Sequence, residues 1–159
     1  MATRKKRSTK PKAILNRRAS FDYVLGDELV VGLVLTGQEV KAARDGKVGL
    51  KGSFVTIRGQ ELWLNNASFS LVLNEKGEQQ KTVDTTPRKL LAKHREIGAL
   101  MRQKQAGYTI IPTKLLIEGK FIKLVIAIGK GKKRYDKRES LKRRDQARES
   151  AAMIKGARR

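Results

Sequence analysis

A mainly β fold, an OB-like antiparallel β-barrel with two to three helices and a basic C-terminal tail that is helical when bound, is what three features of the 159-residue sequence predict. Between residues 19 and 128, short runs rich in Val, Ile, Leu and aromatic residues follow one another at strand length. Two of their junctions, Gly59-Gln60 and Glu118-Gly119-Lys120, carry hairpin signals. The charge is also unevenly placed. Of a formal net +22, residues 1–18 hold +8, residues 19–128 only +5, and residues 129–159 hold +9. The sequence therefore divides into a basic N-terminal arm (1–18), a barrel domain (19–128) and a basic C-terminal tail (129–159).

Taken in order, Met1–Lys12 is almost free of apolar residues and cannot offset the entropy of ordering itself in water. It reads as a solubilising tail or as an arm that neutralises phosphates, and the absence of interspersed acids favours the second. Phe21, Tyr23 and Leu25 alternate as in a half-buried strand, and Leu29–Leu35 is a core strand that bends at Gly32. Gln38–Arg44 is a short helix stopped by Asp45-Gly46. Ser53–Arg58 and Glu61–Asn66 form a hairpin; beyond it come a weak strand, Phe69–Leu73, and a polar loop, NEKGEQQKT. Pro87 opens a longer helix with Thr86 as N-cap and Gly107 as its stop. Tyr108–Ile117 and Phe121–Ile128 complete the strands. Six or so strands with two helices fit a closed or partly closed barrel, its core taking Phe21, Phe54, Trp63 and Phe121. In the tail, Asp136–Arg159 combines good helix formers with cations on almost every side. Such a helix has little to pack against and folds against a phosphate-lined groove rather than alone.

This composition excludes much. With no Cys and a single His, disulfides, thiolate catalysis, zinc sites and His-based triads are removed. His94 reads as a hydrogen-bonded residue at the core edge rather than a metal ligand. Glu39, Asp22 and Asp45 are too scattered to suggest a two-metal centre. No apolar run approaches membrane-span length. The expectation is a cytoplasmic polyanion binder without cofactor, metal, membrane partner or small-molecule substrate, and not an enzyme. With eight aromatics, half of them assigned to the core, backbone and shape recognition of folded RNA fits better than extended base stacking.

Several segments then combine. Asn16-Arg17-Arg18, the run Gly32 to Lys41 (GLVLTGQEVK), Gly46-Lys47-Val48, Arg88-Lys89-Leu90-Leu91, Arg95-Glu96-Ile97, Gly107-Tyr108-Thr109 and Lys130 to Arg138 (KGKKRYDKR) with Leu141-Lys142 and Arg144-Asp145 closely resemble, in order and spacing, the SmpB or SsrA-binding family. The resemblance covers nearly the whole chain from Ile14. It implies an RNA-binding factor of trans-translation that binds the tRNA-like domain of transfer-messenger RNA. The factor delivers that RNA to stalled ribosomes, where its tail occupies the vacant decoding site and message channel against small-subunit rRNA. The nascent peptide is then tagged for degradation and the ribosome released. Elongation factor Tu with the charged RNA is a further implied partner.

On this resemblance, Asn16, Arg17, Arg18, Glu39, Lys41, Arg44, Lys47, Gly131, Lys132 and Lys133 are candidates for transfer-messenger RNA. Glu39 has two readings, orienting Lys41 or nearby backbone or touching RNA, and repulsion from phosphate favours the first. Gly131 either lets backbone approach RNA or ends the last strand. Tyr135, Asp136, Lys137, Arg138, Lys142 and Arg144 correspond to the decoding-site and tail segment, and Met153 with Ile154 to an apolar pair near its end. Three departures stand out. Val30 replaces a common acid, Tyr135 stands where His is frequent, and Asn66–Thr86 lacks the usual His- and Pro-containing pattern.

Overall fold

A computed structural model describes residues 12–75 and 78–156. Its elements are β1 (Lys12–Leu15), α1 (Arg17–Asp22), β2 (Tyr23–Leu33), α2 (Gly37–Arg44), β3 (Val48–Gly49), β4 (Phe54–Arg58), β5 (Glu61–Asn65), β6 (Ser68–Glu75), β7 (Glu78–Asp84), β8 (Arg88–Leu91), α3 (His94–Gln105), β9 (Thr109–Glu118), β10 (Phe121–Gly131) and α4 (Arg134–Gly156). A seven-stranded antiparallel sheet runs in the order β1-β9-β10-β2-β8-β5-β4, and it closes where Val55 of β4 pairs with Ile110 of β9. Closure leaves β1 as an outlying strand on β9 and removes the open edges an unclosed sheet would expose. A smaller sheet, β3-β6-β7, lies beside the barrel. The OB-like barrel expected from the strand pattern is the fold observed.

The barrel is filled by alternate residues of its strands. Leu62, Leu64, Ile110, Leu115, Leu124 and Ile126 are fully buried, with Val31, Leu33, Ile97 and Leu100 around them. The β4–β5 hairpin turns at Gly59 and Gln60, both at positive φ (52° and 62°), the conformation a two-residue hairpin requires. Pro112, buried in β9, lies where the β9–β10 register slips, so the ladder loses little to its missing N–H.

An ion pair fixes the top of the barrel. Arg88, 4% exposed, donates from Nε to Glu39 Oε1 at 2.7 Å. Its Nη1 reaches the carbonyls of Thr86 (2.5 Å) and Ala67 (3.3 Å), and Nη2 lies 3.0 Å from Asp84 Oδ2. The guanidinium also sits 4.1 Å from the centroid of the buried Phe69 ring. Glu39 in turn accepts from the Thr36 N–H at 2.7 Å while Thr36 Oγ1 accepts from Glu39 N–H, a reciprocal N-terminal cap on α2. One buried cation therefore joins β8, α2, and both strands of the β6–β7 hairpin.

That pair explains the largest departure from the sequence reading. Pro87–Gly107 is not one helix. Arg88–Leu91 is drawn into the barrel as β8, between β2 and β5, because Arg88 is satisfied only there, and α3 begins at His94. His94 is consequently exposed in the first turn of α3, not at the core edge. Of the NEKGEQQKT stretch, residues 74–75 end β6 and residues 78–82 belong to β7, in a ladder paired from Phe69–Asp84 to Glu75–Glu78, and residues 76–77 lie outside the described residues. The expected strand start at Phe21 is the last turn of α1, which buries Ala19 and leaves Phe21 half-buried under Arg18, 5.3 Å from its ring. Among the aromatics given to the core, Phe54 and Phe121 are exposed and Trp63 is half-buried; Phe69 holds the interior place instead, because Arg88 stacks on it.

The tail forms α4, 23 residues long. Its start is capped by Asp136 Oδ2 accepting from the Lys133 N–H (3.2 Å), and Glu139 pairs with Arg143 one turn on.

Replacing Arg88 by Met should lower stability by about 3–5 kcal/mol, because Glu39 and Asp84 are left without their cation. The Glu39→Met, Arg88→Met double variant should recover part of that loss. Urea midpoints of the two variants against the parent measure both.

Candidate nucleic-acid interface

The candidate residues do not form one patch. β2 and β10 pair along their length, from Gly32 opposite Lys123 at one end to Tyr23 opposite Gly131 at the other. Nine residue steps separate those ends, or about 30 Å of strand. The candidates fall at both.

At the first end, α2 follows β2 and carries Lys41 and Arg44, with Lys47 in the turn beyond it, all exposed. Arg44 Nη2 donates to the Gly119 carbonyl at the β9–β10 turn (3.3 Å), which ties α2 to the hairpin tip. Lys41 and Lys47 line a shallow cleft with Gln38, Ala42, Asp45 and Ser70. The described chain also begins here, since Lys12 of β1 pairs with Ile117 beside the same turn. The basic residues before Lys12, including most of the +8 arm, lie outside the described residues. Glu39 does not belong to this surface. It is buried, and both its carboxylate oxygens are taken by Arg88 and the Thr36 N–H. Of its two readings the structural one holds, with Arg88 rather than Lys41 as the partner.

At the second end, α1 and the base of α4 meet. The Lys132 N–H donates to the Asp22 carbonyl (2.9 Å), and Lys132 Nζ to the Ser20 carbonyl (2.8 Å), where the last turn of α1 gathers negative potential. Lys137 Nζ sits 3.0 Å from Asp22 Oδ1, and Arg18 Nε 3.2 Å from its Oδ2. The hydrogen bond from Lys137 holds the Asp22 carboxyl below its ordinary value of 3.8; burial opposes this, and the charges of Lys137 and Arg18 add to it. Arg17, Arg18, Lys133, Arg138, Lys142 and Arg144 are exposed around this junction or along α4. Gly131, also exposed, ends β10 and has nothing within 4 Å of where a Cβ would stand. Tyr135 is 65% exposed in the first turn of α4, and the neighbouring Asp136 charge raises its phenol, so it stays a neutral hydroxyl. Met153 is 76% exposed; the Ile154 side chain lies outside the described residues.

Asn16 is held inside the fold. It is 9% exposed, its Nδ2 donates to the Pro112 carbonyl (2.8 Å) and its N–H to the Thr113 carbonyl (2.8 Å). It pins the start of α1 onto β9 and thereby aims Arg17 and Arg18.

One surface feature was missed. Val30 and Leu91 are both more than half exposed on the outer face of β2 and β8, with Gly32 between them and Val34 beyond. Lys89, Lys123 and Lys114 flank this apolar strip, each held by an acid, Glu61, Glu118 and Glu28 respectively. Val30 was legible only as a departure from a pattern, and Leu91 was lost by being placed on a helix.

Among the described residues no group of three His, Cys, Asp or Glu side chains is placed to hold a metal ion, and no helix is long and apolar enough to cross a membrane.

Comparison with known proteins agrees with this geometry. The family model described as SmpB protein matches residues 13–156. The SsrA-binding protein of Shouchella clausii is 43% identical over 141 residues, covering 88% of this chain and 89% of the relative. That of Oenococcus oeni is 42% identical over 141 residues, covering 88% and 90%. Among solved structures, a chain described under "tmRNA-SmpB: a journey to the center of the bacterial ribosome" superposes with a TM-score of 0.61 at 32% identity, covering 81% of this chain and 94% of that one.

Because the Asp22 carboxyl is held low, its grip on α4 is complete above its ordinary value and is lost as pH falls through the lower folded-state value. Acid titration by NMR should show the Lys137 side chain released only below about pH 3.8. In Asp22→Asn the same signals should show no such step.

Proposed function

The chain belongs to the SmpB protein family, and from that membership we propose how its two cationic ends divide the work of trans-translation. The protein is an RNA-binding factor that binds transfer-messenger RNA and acts with it on the ribosome. The observation that carries the division is the distance between the clusters. Lys41, Arg44 and Lys47 stand at the hairpin-tip end, whereas Arg17, Arg18, Gly131, Lys132 and Lys133 stand beside Tyr135 at the root of α4.

In this reading the α2 end, with the basic arm before Lys12, grips the phosphates of transfer-messenger RNA. The flanking apolar strip of Val30 and Leu91 lies against ribose or base faces on the same RNA. The second group, assigned to transfer-messenger RNA on sequence grounds, serves the ribosomal face instead, since α4 leaves from it. Asp136, Lys137 and Arg138 then set the first turn of α4 at the decoding site. Lys142, Arg144, Met153 and Ile154 follow along the message channel. A helix cationic on nearly every side suits a channel walled by phosphate, because neutralisation there releases counterions. The body works by binding and positioning, without bond-making chemistry of its own, in the cytoplasm. Elongation factor Tu arrives with the charged RNA under the same proposal.

Affinity for transfer-messenger RNA and for an ordinary tRNA across a salt series should differ at every salt, both falling as salt rises. Equal affinities throughout would reduce the protein to a generic polycation. Truncation before Asp136 should leave transfer-messenger RNA binding within about threefold and abolish peptide tagging on stalled ribosomes; tagging at the parental rate contradicts the assignment of the tail.

A further inference from the structure

Beyond its root, α4 does not pack on the body. Every described side chain from Lys142 to Met153 is exposed, so about 20 Å of helix projects as a lever. What holds the root is a small set of bonds centred on α1. Arg18 Nε reaches Asp22 Oδ2 at 3.2 Å and Lys137 Nζ reaches Oδ1 at 3.0 Å, so one carboxylate is shared by α1 and α4. Lys132, in the link between β10 and α4, is bonded to the same short helix through the Asp22 and Ser20 carbonyls.

Two cations converging from different elements on one anion is how a protein takes an RNA phosphate, and here a carboxylate stands in the phosphate's place. The pairing is open to solvent. The Asp22 side chain is 26% exposed and that of Arg18 55%. Both line a cleft of about 190 Å³ together with Ser53, Phe54 and Thr109. An incoming phosphate can therefore reach Arg18 through this cleft without first displacing α4. Part-exposed ion pairs are individually weak, whereas arginine holds a phosphate through two parallel hydrogen bonds, so the exchange is energetically within reach. The chain also has a place to turn. Gly131 ends β10 with nothing within 4 Å of where a Cβ would stand.

We propose that Asp22 is a latch: its carboxylate fills a phosphate site between Arg18 and Lys137, and a backbone phosphate of small-subunit rRNA displaces it and frees α4 to turn about its root. While the latch is closed, Arg18 and Lys137 are neutralised within the protein and present little net charge to RNA at large. The open state gains only from a ligand that binds these cations better than one carboxylate does, which is the differential affinity any such switch requires. The latch rests on the division of labour proposed above, in which the root of α4 faces the ribosome. It adds the contact that keeps this face shut until the ribosome is met.

Because the chain has no cysteine, spin labels at Thr85→Cys on the body and Ala147→Cys on α4 can report the helix's position in the full-length protein. The protein alone should give one narrow distance. Vacant small ribosomal subunits should shift it, and transfer-messenger RNA alone should not. Asp22→Asn should lose the narrow distance without any RNA, and should bind the subunits about three- to tenfold more tightly than the parent. A residue that merely braces α4 would do the reverse, its loss lowering affinity. Lys137→Gln is the second variant: it releases α4 in the same way but removes a phosphate partner, so the helix moves without the gain in affinity. A parental distance unchanged by subunits, a shift already produced by transfer-messenger RNA, or Asp22→Asn affinity at or below the parent's overturns the latch. Failure of the reading beneath it has a separate sign: the parental protein would bind transfer-messenger RNA and tRNA equally, whatever the labels report.

Discussion

The buried pair of Arg88 and Glu39 is the constraint on which the rest of this protein depends. Taking two charges out of water is costly, and the cost is recovered only if every donor and acceptor is met in good geometry. Here most of that demand is met, and Arg88 Nη2, which has no hydrogen-bond partner among the described residues, is left to the charge of Asp84. Glu39 closes the first turn of α2, Asp84 closes the β6–β7 hairpin, Ala67 and Thr86 offer carbonyls, and Phe69 offers its ring face. A guanidinium suits the place because its planar donors point in fixed, separate directions. The Asp84 carboxyl is held low first by the Thr86 N–H, then by the Thr86 hydroxyl and the Arg88 charge, against the opposing effect of burial. Once these groups are joined, β8 must lie between β2 and β5, and α2 must start where β2 ends.

That placement has a functional consequence. With α2 fixed at the hairpin-tip end, Lys41, Arg44 and Lys47 are carried to one pole of the barrel. The other pole is set by Asp22, which receives Arg18 and Lys137 on its two oxygens and so holds α1 and α4 together. The net +22 is therefore not a diffuse property. It is two concentrations at the ends of a mildly basic body, and two separate RNA surfaces are the natural partners of such a distribution.

Much of this was legible in the sequence, and the failures have a common cause. The β4–β5 and β9–β10 hairpins were plain because turn chemistry is local, as was α2 with its Asp45-Gly46 stop. The strand at Arg88–Leu91 was not, because Pro87 followed by Arg-Lys-Leu-Leu has good local credentials for a helix. Only Glu39, 49 residues earlier, overrules them. Residues 78–84 are polar enough to look like a loop, and they form a strand because β6 supplies the partner. Asn16 stood among the RNA candidates on the resemblance, and its bond to the Pro112 carbonyl is a contact across the fold that no spacing reveals. The cationic arms, by contrast, were readable from counting alone.

The claim that the two poles hold different RNAs is open to a direct measurement, helped by the absence of cysteine from the chain. Single cysteines placed at Gln38 on α2 and at Ser20 on α1 can each carry a tethered hydroxyl-radical source into the assembled complex on a stalled ribosome. Cleavage of transfer-messenger RNA from position 38 and of small-subunit rRNA from position 20 is the pattern this account predicts. The same RNA cut from both positions, or the two patterns exchanged, would contradict it.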